Sequence, residues 1–66
     1  MPLTWTDSQK IAIELVNTHP HVDPRFIRFT DLHQWVGNLN DFQDDPEQSN
    51  ERILEAIQLC WIDEMD

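Results

Sequence analysis

Sixty-six residues allow a single domain with one hydrophobic core, and at this length folding removes only roughly 60% of the chain's surface from water, so three Trp and three Phe must carry much of the burial. A lone cysteine, Cys60, excludes an internal disulfide, and the longest apolar run, residues 59–62, is far too short to span a bilayer. Thirteen acids against four Lys and Arg give a net charge of -9, which disfavours nucleic acid and anionic membranes as partners.

With no signal-like N-terminus, the expectation is a soluble, monomeric, cytoplasmic protein of a reducing compartment, one domain spanning residues 1–66. The charge is unevenly placed. Residues 1–30 balance three acids (Asp7, Glu14, Asp23) against three bases (Lys10, Arg25, Arg28), whereas residues 31–66 set ten acids against Arg52 alone. The second half therefore presents an acidic surface suited to a basic protein or a cation.

In chain order, Thr6, Asp7, Ser8 and Gln9 have the form of a capping box, with Thr6 as N-cap and Trp5 placed to staple onto the first turn. The first helix then carries Ile11, Ala12, Leu15 and Val16 on one face and ends near Thr18, before Pro20. Asp23 followed by Pro24 predicts a short helical turn through Phe26 or Ile27, with an extended segment as the alternative over residues 26–29.

Residues 28–45, RFTDLHQWVGNLNDFQDD, supply the central element. Thr30 is the expected N-cap, Leu32, Trp35, Val36 and Leu39 follow at helical spacing, and Asp31, Gln34, Asn38 and Asp41 fall on the opposite side. A polar connection over residues 40–48 holds Asp41, Asp44, Asp45 and Glu47, with Phe42 as its one apolar anchor. The last helix is expected to start at Asp45 and Pro46 or at Ser49, burying Ile53, Leu54, Ile57, Cys60 and Trp61. Glu47, Glu51 and Glu55 would line up along another of its faces at a small repulsive cost, and residues 63–66 are expected to fray. Helix, turn and helix in this order resemble a helix-turn-helix unit, but the face that would read DNA carries no Arg or Lys.

Cys60 lies on an apolar stripe and is expected to be an inert packing thiol. His19, His21 and Asp23 form an H-x-H-x-D pattern that spacing alone supports only weakly as a metal site, and His33 suits a capping or solvent role. The carboxylates of the second half are hard oxygen donors suited to Fe2+ or another divalent cation, although they lack the register and glycine of an EF-hand loop. A solvated acidic loop holding no ion is equally compatible with the spacing.

The chain resembles the IscX family (YfhJ-like), small acidic proteins encoded with the bacterial iron-sulfur cluster assembly machinery. The likeness is carried by WTDSQ at residues 5–9, DP at 23–24, RFTDLHQWV at 28–36, DFQDDP at 41–46, SNERILEAI at 49–57 and WIDE at 61–64. It implies a mainly α, small winged-helix-like domain that binds the cysteine desulfurase of the pathway, competes there with frataxin, and holds Fe2+ weakly through exposed carboxylates. The expected role is a non-enzymatic adaptor and regulator. Asp41, Asp44, Asp45, Glu51 and Glu55 are the expected iron ligands. Asp31, Gln34, Asn38, Asp41, Asp44, Asp45, Glu47, Glu51, Glu55, Asp63 and Glu64 are the expected partner surface. His19, His21 and Cys60 match no required position of the family and inherit no role. Two alternatives remain open on the residues: a purely protein-directed acidic module with incidental metal binding, and a degenerate helix-turn-helix regulator, which the charge argues against.

Overall fold

In the computed structural model, residues 2–65 are described, and they form three helices joined by two short 3-10 turns. Helix α1 covers Ser8–Thr18, α2 covers Phe29–Gly37 and α3 covers Glu51–Met65, with the turns at Pro24–Phe26 and Pro46–Gln48. The expectation of a mainly helical domain holds. A β-hairpin wing has no counterpart among the described residues, where the only β pairing is an isolated parallel bridge between Leu3 and Phe42.

The three apolar stripes close one core. Ile11, Ala12 and Leu15 from α1 meet Leu32 and Val36 from α2 and Leu54, Ile57 and Trp61 from α3, with Leu3, Trp5 and Leu39 sealing the ends. Packing is most extensive between α1 and α3, and α2 lies against both. Each large side chain so buried contributes roughly 1.5–3 kcal/mol of transfer free energy; the core is mostly aliphatic, with Trp5 and Trp61 as its buried rings, and Trp35 meets Trp61 edge-on with centroids 6.1 Å apart. The Trp61 indole N–H has no hydrogen-bond partner among the described residues, a local cost of about 1–3 kcal/mol that the packing offsets. Cys60 is half-buried against the core, its Sγ donating weakly to Ser8 Oγ at 3.8 Å, which agrees with a packing thiol.

The first turn of α1 differs from the expected capping box. Asp7 is the N-cap residue, and its carboxylate points backwards, accepting from the Thr4 N–H (3.1 Å) and hydroxyl (3.3 Å). Thr6 meets the Thr4 hydroxyl at 2.9 Å instead of the helix amides. At α2 the helix begins at Phe29, with Arg28 as N-cap and no side-chain cap, so Thr30 lies inside the first turn. Phe29 packs against the core, and burying it draws the helix start forward of the hydroxyl that sequence favours.

The turn at Pro24–Phe26 is as expected: Asp23 Oδ1 accepts from the Arg25 N–H at 3.0 Å, while Ile27 and Arg28 are extended. The Arg25 side chain also donates to that carboxylate (3.1 Å), and this hydrogen bond holds Asp23 below its ordinary value of 3.8. Gln58 Nε2 donates to Pro24 O at 2.7 Å and fastens the turn to α3.

Helix α3 starts later than predicted. Asp45 caps the 3-10 turn by accepting from the Glu47 N–H, and the true cap of α3 is Asn50, whose Oδ1 accepts from the Ile53 N–H at 2.9 Å. Glu47 thus belongs to the turn, and the expected row of three glutamates reduces to Glu51 and Glu55. Helical structure extends through Met65, and Asp66 lies outside the described residues. Replacing Asn50 by Ala should lower unfolding free energy by about 1 kcal/mol in urea titrations, while Ser49→Ala should change it by a few tenths at most; a larger cost at Ser49 would contradict this helix start.

Candidate functional site

The acidic connection over residues 40–48 is fastened to the N-terminal segment rather than hanging free. Leu3 N–H donates to Asp41 O (2.6 Å) and Gln43 N–H donates to Leu3 O (2.9 Å), which forms the parallel bridge. Two residues on, Trp5 is only 3% exposed. Its backbone N–H donates to Asp44 Oδ2 at 3.1 Å, and its indole N–H donates to Asp45 O at 2.7 Å. Phe42 meets the Trp5 ring edge-on at 4.7 Å, and His33 stacks on it at 5.5 Å with 22° between the planes.

Trp5 therefore docks against the acidic loop and α2, where sequence placed it as a staple on α1. His33 departs from expectation in the same way. Its Nε2 lies 2.5 Å from Pro46 O, and because a carbonyl only accepts, Nε2 carries the proton in this contact. A ring expected to cap or face solvent instead clamps the acidic loop to α2.

These contacts divide the predicted site residues. Asp44 uses both carboxylate oxygens internally, Oδ2 for Trp5 N–H and Oδ1 for Asp45 N–H (2.8 Å), and Asp45 uses Oδ1 for Glu47 N–H (3.0 Å). Charge-assisted bonds of this kind are worth about 1.5–3 kcal/mol each, so this pair helps to build the fold. The carboxylates of Asp31, Asp41, Glu47, Glu51, Glu55, Asp63 and Glu64 are exposed and make no hydrogen bond or ion pair with any described residue. Gln34 and Asn38 are exposed beside them on and just after α2.

On α3, Glu51, Glu55 and Leu59 follow at one-turn intervals, flanked by Arg52 and Ala56, and form a shallow outward face in which Leu59 is 59% exposed. Asp63 and Glu64 sit in the last turn, where the helix dipole disfavours negative charge. The unfavourable placement of both acids would be relieved by a cationic partner.

Among the described residues no three His, Cys, Asp or Glu side chains come together in an arrangement able to hold a metal ion. The predicted ligand set of Asp41, Asp44, Asp45, Glu51 and Glu55 is thus not gathered into one centre. The H-x-H-x-D pattern is likewise taken apart. His19 caps α1 and lies on Trp35 at 4.9 Å, His21 is exposed, and Asp23 is engaged by Arg25.

No spacing in the sequence foreshadows the joint made by the C-terminal ends of α1 and α2. Between the C-terminal ends of α1 and α2 lies a cleft of about 340 Å³, lined by Glu14, Thr18, His19, Trp35 and residues 38–41. Trp35 looked like a core residue from its spacing, and it is only half-buried because one side of the ring borders this cleft.

A family model described as iron-sulphur cluster assembly matches residues 3–66. An uncharacterised protein of Pseudomonas aeruginosa is 53% identical over 66 residues, with the whole of both chains covered. No helix of the described residues is long and apolar enough to cross a membrane.

The division of carboxylates has a direct consequence for stability. Asp44→Ala should cost about 1.5–3 kcal/mol in urea unfolding followed by Trp fluorescence, because the buried Trp5 amide loses its acceptor. Glu47→Ala and Glu51→Ala should stay within about 0.5 kcal/mol of the parent. Equal costs at all three positions would contradict the division.

Proposed function

The chain belongs to the iron-sulphur cluster assembly family, the IscX family whose motifs it carries almost end to end, and on that premise we propose that it is a non-enzymatic acidic adaptor that docks on the cysteine desulfurase of the pathway. The observation that carries this proposal is the set of exposed, uncommitted carboxylates at Asp31, Asp41, Glu47, Glu51, Glu55, Asp63 and Glu64, displayed on a packed helical frame with Arg52 as the one cation of residues 31–66. Fixed charges on a rigid surface steer a basic partner from a distance and set its orientation on contact. A desulfurase surface rich in Arg and Lys would meet them, and frataxin, if it uses the same basic surface, would compete.

Iron enters as cargo rather than as a resident cofactor. With no three donors converging among the described residues, an Fe2+ ion would be met by one or two carboxylates, such as Glu51 and Glu55 one turn apart on α3, with water completing its shell. Such binding is weak and exchangeable, and neutralising even part of the surface by iron would lower the field felt by the desulfurase. The scattered donors favour protein docking as the primary role and iron as its modulator, which is the protein-directed alternative with iron given a part. The protein would act as a monomer in the cytoplasm, modulating the rate at which sulfur is delivered without itself transferring sulfur or assembling the cluster.

Calorimetric titration of the desulfurase with this protein at increasing salt should show affinity falling by roughly tenfold or more between low and moderate ionic strength, as expected for a charge-steered complex. A salt-independent affinity would overturn the proposal.

A further inference from the structure

The cleft between the ends of α1 and α2 has the chemistry of a receptor for an organic cation. Its aromatic wall is the tilted pair of His19 and Trp35, 4.9 Å apart at 34°. Glu14 and Asp41 bring carboxylates to its lining, and Asn38 and Asn40 bring side-chain amide oxygens. No Lys or Arg lines it, and neither carboxylate is tied up by a hydrogen bond or ion pair with a described residue.

The two helix ends add to this field. Both α1 and α2 end without a basic residue in the last turn, so the partial negative charge at each C-terminus is left uncompensated beside the cleft. At α2 the chain leaves Gly37 through Asn38 in a right-handed conformation, the Asn38 N–H donating to Gln34 O and Trp35 O and the Leu39 N–H to Val36 O, so the dipole of this end acts beside the cleft with no cation to offset it. Two carboxylates, two helix C-termini and an aromatic wall all favour positive charge. The alternative of a metal ion is not supported, since no three ligating side chains converge here.

We propose that this cleft receives the guanidinium of an arginine side chain presented by the basic partner, its plane laid along the His19 and Trp35 rings and its N–H groups directed to Glu14 and Asp41. Arginine suits the site better than lysine because a planar, weakly hydrated cation can stack and donate in two directions at once, whereas an ammonium is a strongly hydrated point charge. A volume of about 340 Å³ accommodates one such side chain and excludes a folded element. The proposal rests on the docking function above and adds a specific anchoring point to a surface otherwise defined only by its charge.

The probe is the peptide acetyl-Gly-Arg-Gly-amide, titrated into the isotopically labelled protein and followed by NMR, with the same peptide carrying citrulline or lysine in place of arginine. The arginine peptide should shift the Trp35 indole and the backbone amides of His19, Asn38 and Asp41 saturably, and the neutral citrulline peptide should bind about tenfold more weakly or not at all. Equal binding of the citrulline or lysine peptide, or shifts centred on Glu51 and Glu55, would overturn the assignment.

The double variant Glu14→Gln with Asp41→Asn changes two side chains that make no internal hydrogen bond, so it should stay folded while losing about tenfold in affinity both for the arginine peptide and for the desulfurase. Undiminished desulfurase binding by this variant would overturn the cleft as an anchor and leave the docking function standing. If the parent protein fails to bind the desulfurase at all, the docking function fails, and the peptide titration still decides the chemistry of the cleft.

Discussion

The position of the acidic loop, and with it the approach to α3, depends on one buried ring. Trp5 sits between the N-terminal segment, the acidic loop and α2, donating its indole N–H to Asp45 O and its backbone N–H to the Asp44 carboxylate while His33 and Phe42 close over its faces. Without that anchor a connection with four acids in seven residues would repel itself and extend into water. With it, the loop lies flat against the core, and the start of α3 is fixed where Asn50 can cap it.

The acidic character of the chain therefore serves two ends. Asp7, Asp23, Asp44, Asp45 and the amide of Asn50 spend their oxygens on backbone N–H groups at turns and helix starts, which are the places a small domain without staples is weakest. The remaining carboxylates of the described residues make no hydrogen bond or ion pair with another described residue and accept mutual repulsion, including two in the last turn of α3 where the dipole opposes them. Stability alone gives no reason for that second group. Membership of an iron-sulphur cluster assembly family supplies the setting in which a surface of this kind is useful.

The helices and their buried stripes were legible in the sequence because hydrophobic periodicity is a local signal: the expected apolar residues of α1, α2 and α3 all lie in or against the core, with Val16, Trp35, Ile53 and Cys60 only partly buried. Cap positions were read less well. Thr6, Thr30 and Ser49 are each good caps in isolation, and each was displaced by a neighbour when packing of Phe29, the turn at Pro46–Gln48 or the Asp7 to Thr4 contact set the backbone. The roles of Trp5 and His33 depend on partners some 10 to 40 positions away in the chain, as with the 40-residue separation of the Trp5 to Asp45 bond, and no spacing rule reports them. The list of acidic site residues was readable as a charge asymmetry. Which of them are free to meet a partner became visible only with the hydrogen bonds, and the cleft at Trp35 only with the approach of two helix ends.

On the proposed function, a partner is met by the uncommitted carboxylates while the Trp5 anchor holds the acidic loop in place. Amide and indole NMR resonances of the labelled protein, recorded as unlabelled cysteine desulfurase is added, report on both parts of that arrangement. Perturbation should be concentrated at Asp31, Asp41, Glu51, Glu55 and Asp63, with the Trp5 indole N–H retaining its position and its protection from exchange. Perturbation centred on the charge-balanced first half around Lys10 and Arg28, or loss of the Trp5 indole protection as the loop is released, would contradict it.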